Sequence, residues 1–309
     1  MSRFVSVGEC MIEMSGGDAG SYRLGYAGDT LNTAWYARAC LPAEWTVDYV
    51  TALGDDLYSQ QMVEFFADNG IGTGHIQRLE GKRPGLYLIH QAEGDRHFTY
   101  WRGQSAAKLM ADAPGALNDA LAGADIAYFS GISLAILNAR SRGKLLRAIH
   151  LARQGGARVA FDPNERPALW TSPRVMGSTI AAAAIVADVV LPTFPDEAAL
   201  FGDASPEAVA ERYLSWGAEE VVVKNGAEPA YVAWREGRDW VAPKPGAKSV
   251  DPTGAGDSFN GAYLAARAQG QAPLDAAAAA HAVAAIVIGQ RGALVPHEML
   301  GYQGSSRSG

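Results

Sequence analysis

The residues with the clearest chemical potential lie in the stretch Asp251-Pro252-Thr253-Gly254-Ala255-Gly256-Asp257-Ser258-Phe259-Asn260-Gly261. Two glycines and an alanine directly precede Asp257. Phe259, Ala262, Tyr263 and Ala266 then recur at helical spacing, which predicts a helix from Ala255 to Ala268. A small-residue turn that opens a helix leaves backbone N–H groups unpaired. The helix dipole adds partial positive charge at the same place, so Gly254, Ala255 and Gly256 form a candidate anion hole. Asp257 stands at its edge. A carboxylate there would repel a passively bound phosphate. It suits a transfer in which the acid takes a proton from an attacking hydroxyl while the amides stabilise the developing charge. The plainer alternative is an acidic helix cap with no chemistry.

Other segments carry polar residues at similar junctions. Gly28, before a helix start, lets a ligand approach the backbone. Asp29, Thr30 and Asn32 beside it are short polar side chains suited to sugar hydroxyls, or simply helix caps. Tyr100 and Arg102 fall on one face of a strand and Trp101 on the other, with Tyr87 in the paired run. A tyrosine and an arginine converging there suit a small anion, although a solvated arginine is the simpler account. Arg166, in Asp162-Pro163-Asn164-Glu165-Arg166-Pro167, follows an apolar strand. Its guanidinium could pair with a carboxylate, while Asp-Pro-Asn is also a good turn by itself. Two arginines on separate segments favour an acid sugar over a neutral one. Lys224-Asn225-Gly226 closes a further strand. There is no Gly-x-x-x-x-Gly-Lys-Ser/Thr loop and no Gly-x-Gly-x-x-Gly after the first strand. The histidines show no zinc spacing.

The string Asp251-Pro-Thr-Gly-Ala-Gly-Asp257 resembles the signature of the ribokinase-like (PfkB) carbohydrate kinases, departing from its commonest form at Pro252. Ala27-Gly28 resembles the family's early Gly-Gly pair, with Ala27 in place of the first glycine. Together with Tyr100-Trp101-Arg102, Asp162-Pro-Asn-Glu-Arg166 and Gln290-Arg-Gly-Ala293, these are similar to the family's 2-keto-3-deoxygluconate kinase branch. The resemblance implies ATP and Mg²⁺ as cofactors, Asp257 as catalytic base, and Gly28, Tyr87, Tyr100, Arg102 and Arg166 on the acid sugar. It also implies Lys224, Gly226, Gly254 and Gly256 near the nucleotide. Glu197 would position magnesium through water, although the usual Asn of its motif is absent from Thr193-Phe194-Pro195-Asp196-Glu197. Asp251 and Thr253 would serve a monovalent cation, K⁺. Glu165 stands where an aromatic residue is common. The open alternatives are the same chemistry on fructose, ribose or 5-keto-2-deoxygluconate, and a non-catalytic sugar or nucleotide sensor on a kinase fold.

These residues need a scaffold. Strand-like runs at Phe4–Val7, 47–52, Ile126–Phe129, Arg158–Phe161, 189–191 and 221–223 alternate with helical patterns, which predicts an α/β fold with a central, mainly parallel sheet flanked by helices on both faces. Ligands of such sheets bind at the carboxyl ends of the strands. The alternation breaks at 9–15 and 72–102, where period-two runs around Gly94-Asp95 read as a hairpin. A lone hairpin is marginal, so the two excursions are expected to meet as a small β-sheet lid of about 9–26 and 72–103. The whole chain, 1–309, reads as one domain with its nucleotide-binding part at about 187–300. With 309 residues and a net charge of −7 it offers no nucleic-acid surface. No apolar run is long enough to span a membrane. Met1-Ser2-Arg3 leads directly into a strand, so no leader is expected. Cys10 and Cys40 lack metal spacing and read as free thiols, which implies a cytoplasmic setting. Gly304 to Gly309 reads as a disordered tail, and the lid as a contact in a homo-oligomer.

Overall fold

A computed structural model describes residues 2–16, 21–92 and 95–301. The tail at 304–309, and Gly94 of the expected hairpin turn, lie outside the described residues. The central sheet has nine strands, in the order Gly237–Val241, Ala230–Trp234, Glu220–Val223, Val189–Val190, Arg158–Asp162, Ile126–Ser130, Arg3–Val7, Thr46–Val50 and Ile71–Gly72. From Glu220–Val223 onward the pairings are parallel. The first two strands form an antiparallel hairpin at one edge. That hairpin, and the helices Gly131–Ala135 and Phe194–Phe201, were not among the expected elements. Local signals existed for the second helix, with Pro195 in its first turn and Gly202 at φ 78° closing it.

Alternation along the strands divides the core in two. Val5, Phe129, Phe161, Val190 and Val221 point to one layer. Phe4, Tyr128, Ala160, Val189 and Val222 point to the other. Both faces of a parallel sheet are covered by helices, which is why these strands read as continuous apolar runs.

The two β excursions do meet. Tyr22–Ala27, Met11–Gly16, Gly85–Ala92 and Asp95–Trp101 form a separate four-stranded sheet in that order. Glu13 pairs with Tyr87, and Tyr87 with Tyr100, so these three residues stand side by side across it.

The helices Asp29–Cys40 and Ala255–Ala268 cross at very short range on the second layer. A Cβ on Gly261 would lie 2.5 Å from the Thr33 carbonyl oxygen and 2.8 Å from the Ala37 nitrogen. Backbone cannot yield there as a flexible side chain would. Gly261→Ala is therefore expected to destabilise the fold by about 1–3 kcal/mol, the overpacking cost, against a helix-propensity gain of about 1 kcal/mol. Denaturant unfolding measures it, and a stabilised variant would contradict the crossing.

Candidate active site

The crossing brings the amino ends of both helices to the carboxyl edge of the sheet. Gly254, at φ 79°, caps the helix Ala255–Ala268. Only glycine adopts that conformation at low cost, and a Cβ there would also meet the Ala293 carbonyl oxygen at 2.7 Å. Asp251 anchors the turn: its Oδ1 accepts from Thr253 N and Oγ1, and its Oδ2 from Gly292 N. Among the described residues the amides of Gly254, Gly256 and Asp257 take no partner within the chain, while Ala255 N turns back to Pro252 O at 3.2 Å. Of the three residues expected to form an anion hole, Gly254 and Gly256 have open amides and Ala255 does not.

Asp257 is held from the opposite helix, with Asn32 Nδ2 donating to its Oδ2 at 2.8 Å. Burial, with Asp29 and Asp162 as neighbouring negative charges, pushes its pKa up to about 7; Asn32 and Lys224 work against that rise. An acid that titrates near neutrality can accept and release a proton at working pH. Asp29 is also raised, first by burial and then by Asp162, while hydrogen bonds from Ser130 and Asn164 oppose the shift. Asn164 Nδ2 reaches Asp29 Oδ2 at 2.7 Å from a backbone at φ 35°, a left-handed conformation that Asn tolerates better than most residues.

Lys224 is buried beside this group. Its Nζ donates to Asp162 Oδ2 at 2.9 Å and to Asn260 Oδ1 at 3.0 Å. Asn260 Nδ2 donates to the same Asp162 oxygen at 2.6 Å. Neither Asp162 nor Asn260 was singled out as a site residue by the sequence. The available signal was that Asn260 lies one helical turn beyond Asp257, on the same face.

The lid residues are near the site but already partnered. Tyr87 donates its hydroxyl to Glu13, and its ring centre lies 5.7 Å from that of exposed Tyr100. Arg102 pairs with Glu9, itself buried, so it does not stand as an open cation. Arg102 Nε is nevertheless buried with no partner of its own. Arg166 is exposed, donates to its neighbour's carbonyl at Glu165, and lies close enough to Asp196 to oppose that acid's burial-raised pKa. Gly28 carries a packing constraint: a Cβ there would meet the Glu9 carbonyl oxygen at 2.1 Å. Gly226, at φ 61°, sits in an exposed turn.

Glu197 is not placed for the water-facing role expected of it. It is fully enclosed, accepting from Arg212 Nη2 at 2.6 Å and Tyr213 Oη at 2.7 Å. The preceding residue, Asp196, is the acid that shares an electrostatic environment with Arg166, Asp162 and Lys224. Glu165, buried against Glu197, has its pKa pushed up to about 9, first by burial and then by Glu197 and Asp196. A neutral acid can occupy a position where an aromatic side chain would otherwise fit.

Residues 1–298 match the model of the pfkB family carbohydrate kinases. The chain belongs to the PfkB carbohydrate kinase family. Among curated relatives, a 2-dehydro-3-deoxygluconokinase of Escherichia coli K12 is 44% identical over 308 residues, covering 97% of this chain and 99% of that one. A protein of the same name from Dickeya dadantii is 41% identical, covering 95% and 97%. Among solved structures, a PfkB protein of Polaromonas sp. JS666 superposes with a TM-score of 0.85 at 29% identity, covering 98% of this chain and all 100% of that one. As in other α/β folds, this PfkB kinase concentrates its polar residues beyond the strand ends. No helix among its described residues is long and apolar enough to cross a membrane.

A raised carboxyl pKa has a thermodynamic consequence. The folded chain holds the Asp257 proton more tightly than the unfolded chain, whose value is 3.8, so stability falls as pH rises from there to about 7. Asp257→Asn removes this cost. It should be more stable than the native chain at pH 8, by on the order of 1–3 kcal/mol after discounting for solvent access. The gap should close as pH approaches 4. Urea unfolding at both pH values tests this, and an unchanged gap would contradict the shift.

Proposed function

We propose that this PfkB kinase transfers the γ-phosphoryl group of ATP to the 6-hydroxyl of 2-keto-3-deoxygluconate, the same compound as 2-dehydro-3-deoxygluconate, in the cytoplasm. The observation that carries the reading is Asp257, held by Asn32 at 2.8 Å and raised to about 7, at the mouth of a turn with open amides. Asp257 accepts the hydroxyl proton as the oxygen attacks phosphorus. The amides of Gly254, Gly256 and Asp257 face the charge that spreads over the transferring group, and Lys224 adds a cation beside them. Gly28, Asp29 and Asn32 border the sugar hydroxyls, while Tyr87, Tyr100, Arg102 and Arg166 border the carboxylate end. The lid excludes water that would otherwise hydrolyse ATP.

Among the described residues no group of three or more acidic, His or Cys side chains comes together as a metal cluster. That fits a Mg²⁺ ion carried chiefly by the nucleotide's phosphates, with Asp196 as the nearby acid of this chain. When bound, the ion neutralises phosphate charge. Asp251 has both oxygens engaged, so a K⁺ ion at this turn would draw on Thr253 and on backbone carbonyls. Gly226 belongs to the nucleotide side, at the edge of the cleft. Tyr22, Leu24 and Trp101 are exposed on one face of the lid and form the surface for a second copy of the chain.

A coupled ADP-release assay with ATP and Mg²⁺, run against acid and neutral sugars, tests the assignment. Asp257→Asn should fold and bind substrates yet lose at least about 1,000-fold in kcat, the scale on which transition-state groups act. Near-native turnover would reject the base. Arg102→Ala and Arg166→Ala should reduce kcat/KM for the acid sugar by roughly 10- to 100-fold, the loss of a charge-assisted contact. Turnover of fructose or ribose should change far less. A native preference for a neutral sugar would redirect the substrate, and binding without turnover would indicate a sensor.

A further inference from the structure

The cluster that the reaction scheme uses least fully is the buried triangle of Lys224, Asp162 and Asn260. Lys224 is only 8% exposed and Asn260 is fully enclosed. A lone ammonium at such a position is costly unless it is paired and fully hydrogen-bonded. Asp162 supplies the counter-charge and Asn260 a neutral oxygen. Asn260 Nδ2 then ties back to Asp162, and weakly to Tyr128 Oη at 3.3 Å. The second Asp162 oxygen accepts from Asn164 N at 3.0 Å. Both carboxylate oxygens and the carboxamide are therefore spent inside the cluster.

An ammonium carries three N–H donors. Asp162 and Asn260 take two, and among the described residues the third has no protein partner. Its nitrogen lies 3.8 Å from where a Cβ on Gly256 would sit. The Gly256 amide is itself one of the open groups of the catalytic turn. A spare cationic donor and an open amide thus belong to neighbouring residues at the same turn.

We propose that Asn260 and Asp162 are positioning residues for Lys224, fixing its ammonium so that the remaining N–H meets the transferring phosphoryl group. The inference rests on the kinase reading. Asn260 follows Asp257 by three residues on one helix, so the element that presents the base also sets the cation. A shift of that helix would move both together and preserve their separation.

The test is a double-mutant cycle on the full-length enzyme with ATP, Mg²⁺ and the preferred sugar. Asn260→Ala should lower kcat by about 100-fold, the scale on which a 1 Å misplacement acts. The KM for the sugar should change little. In a Lys224→Met background the same substitution should cost less than about twofold, because its effect travels through the lysine. Asp162→Asn, which keeps the shape of the side chain, should show the same non-additivity and provides the answer if Asn260→Ala does not fold. Losses that multiply in full in the Lys224→Met background, or that fall chiefly on the sugar KM, would overturn the proposal. An inactive native enzyme would instead defeat the kinase reading on which it rests.

Discussion

The site depends on two helix backbones approaching more closely than side chains normally allow. Gly261 has no Cβ, and the space one would need is already filled by the Thr33 carbonyl and the Ala37 nitrogen. That approach lets the Asn32 side chain span the gap and bond Asp257 at 2.8 Å. It also seats the Thr33 hydroxyl 3.4 Å from the Asp257 carbonyl oxygen. A wider crossing would leave Asp257 as a solvated helix-start acid with an ordinary pKa.

Three aspartates share the same edge. Burial raises the pKa of Asp29 and of Asp257, Asp162 adds negative charge beside both, and each of the three has different partners. Asp162 is paired with Lys224, Asp29 is hydrogen-bonded by Asn164, and Asp257 takes a hydrogen bond from the neutral amide of Asn32 and lies in the field of Lys224. At Asp257 burial outweighs what Asn32 and Lys224 return, which leaves it poised near neutrality. The same rule separates Glu197 from Glu165. Arg212 and Tyr213 hold Glu197 to about 6, while Glu165, without such partners, rises to about 9.

The turn at 251–257 is further tied to the loop that follows the helix Pro273–Ile288. Gly292 bonds Asp251, and Ala293 lies against Gly254 while its carbonyl accepts from Tyr36 Oη at 2.6 Å. Trp35 Nε1 bonds the Val295 carbonyl at 2.8 Å. The helix that carries Asn32 therefore also holds the loop that backs the open amides. Asp257 and the open amides share one set of supports.

Much of the fold is legible in the amino-acid sequence. Uninterrupted apolar runs such as Val221–Val223 marked strands buried on both faces, and period-two runs marked the lid. Small residues before Asp257 marked the helix start, because local backbone preference is set by neighbouring residues. What the chain order did not disclose was partnership at long range. That Arg102 is taken by Glu9, that Glu197 is sealed by Arg212 and Tyr213, and that Asn260 completes the Lys224 cluster depend on residues 15 to 93 positions apart. The hairpin at 230–241 likewise reads as strand only once it has an edge to join. Residue types and spacing determined the turn, the elements and the candidate acid. Only the tertiary packing decided which charges are spent on one another and which remain for a ligand, because charge compensation is a matter of distance in space.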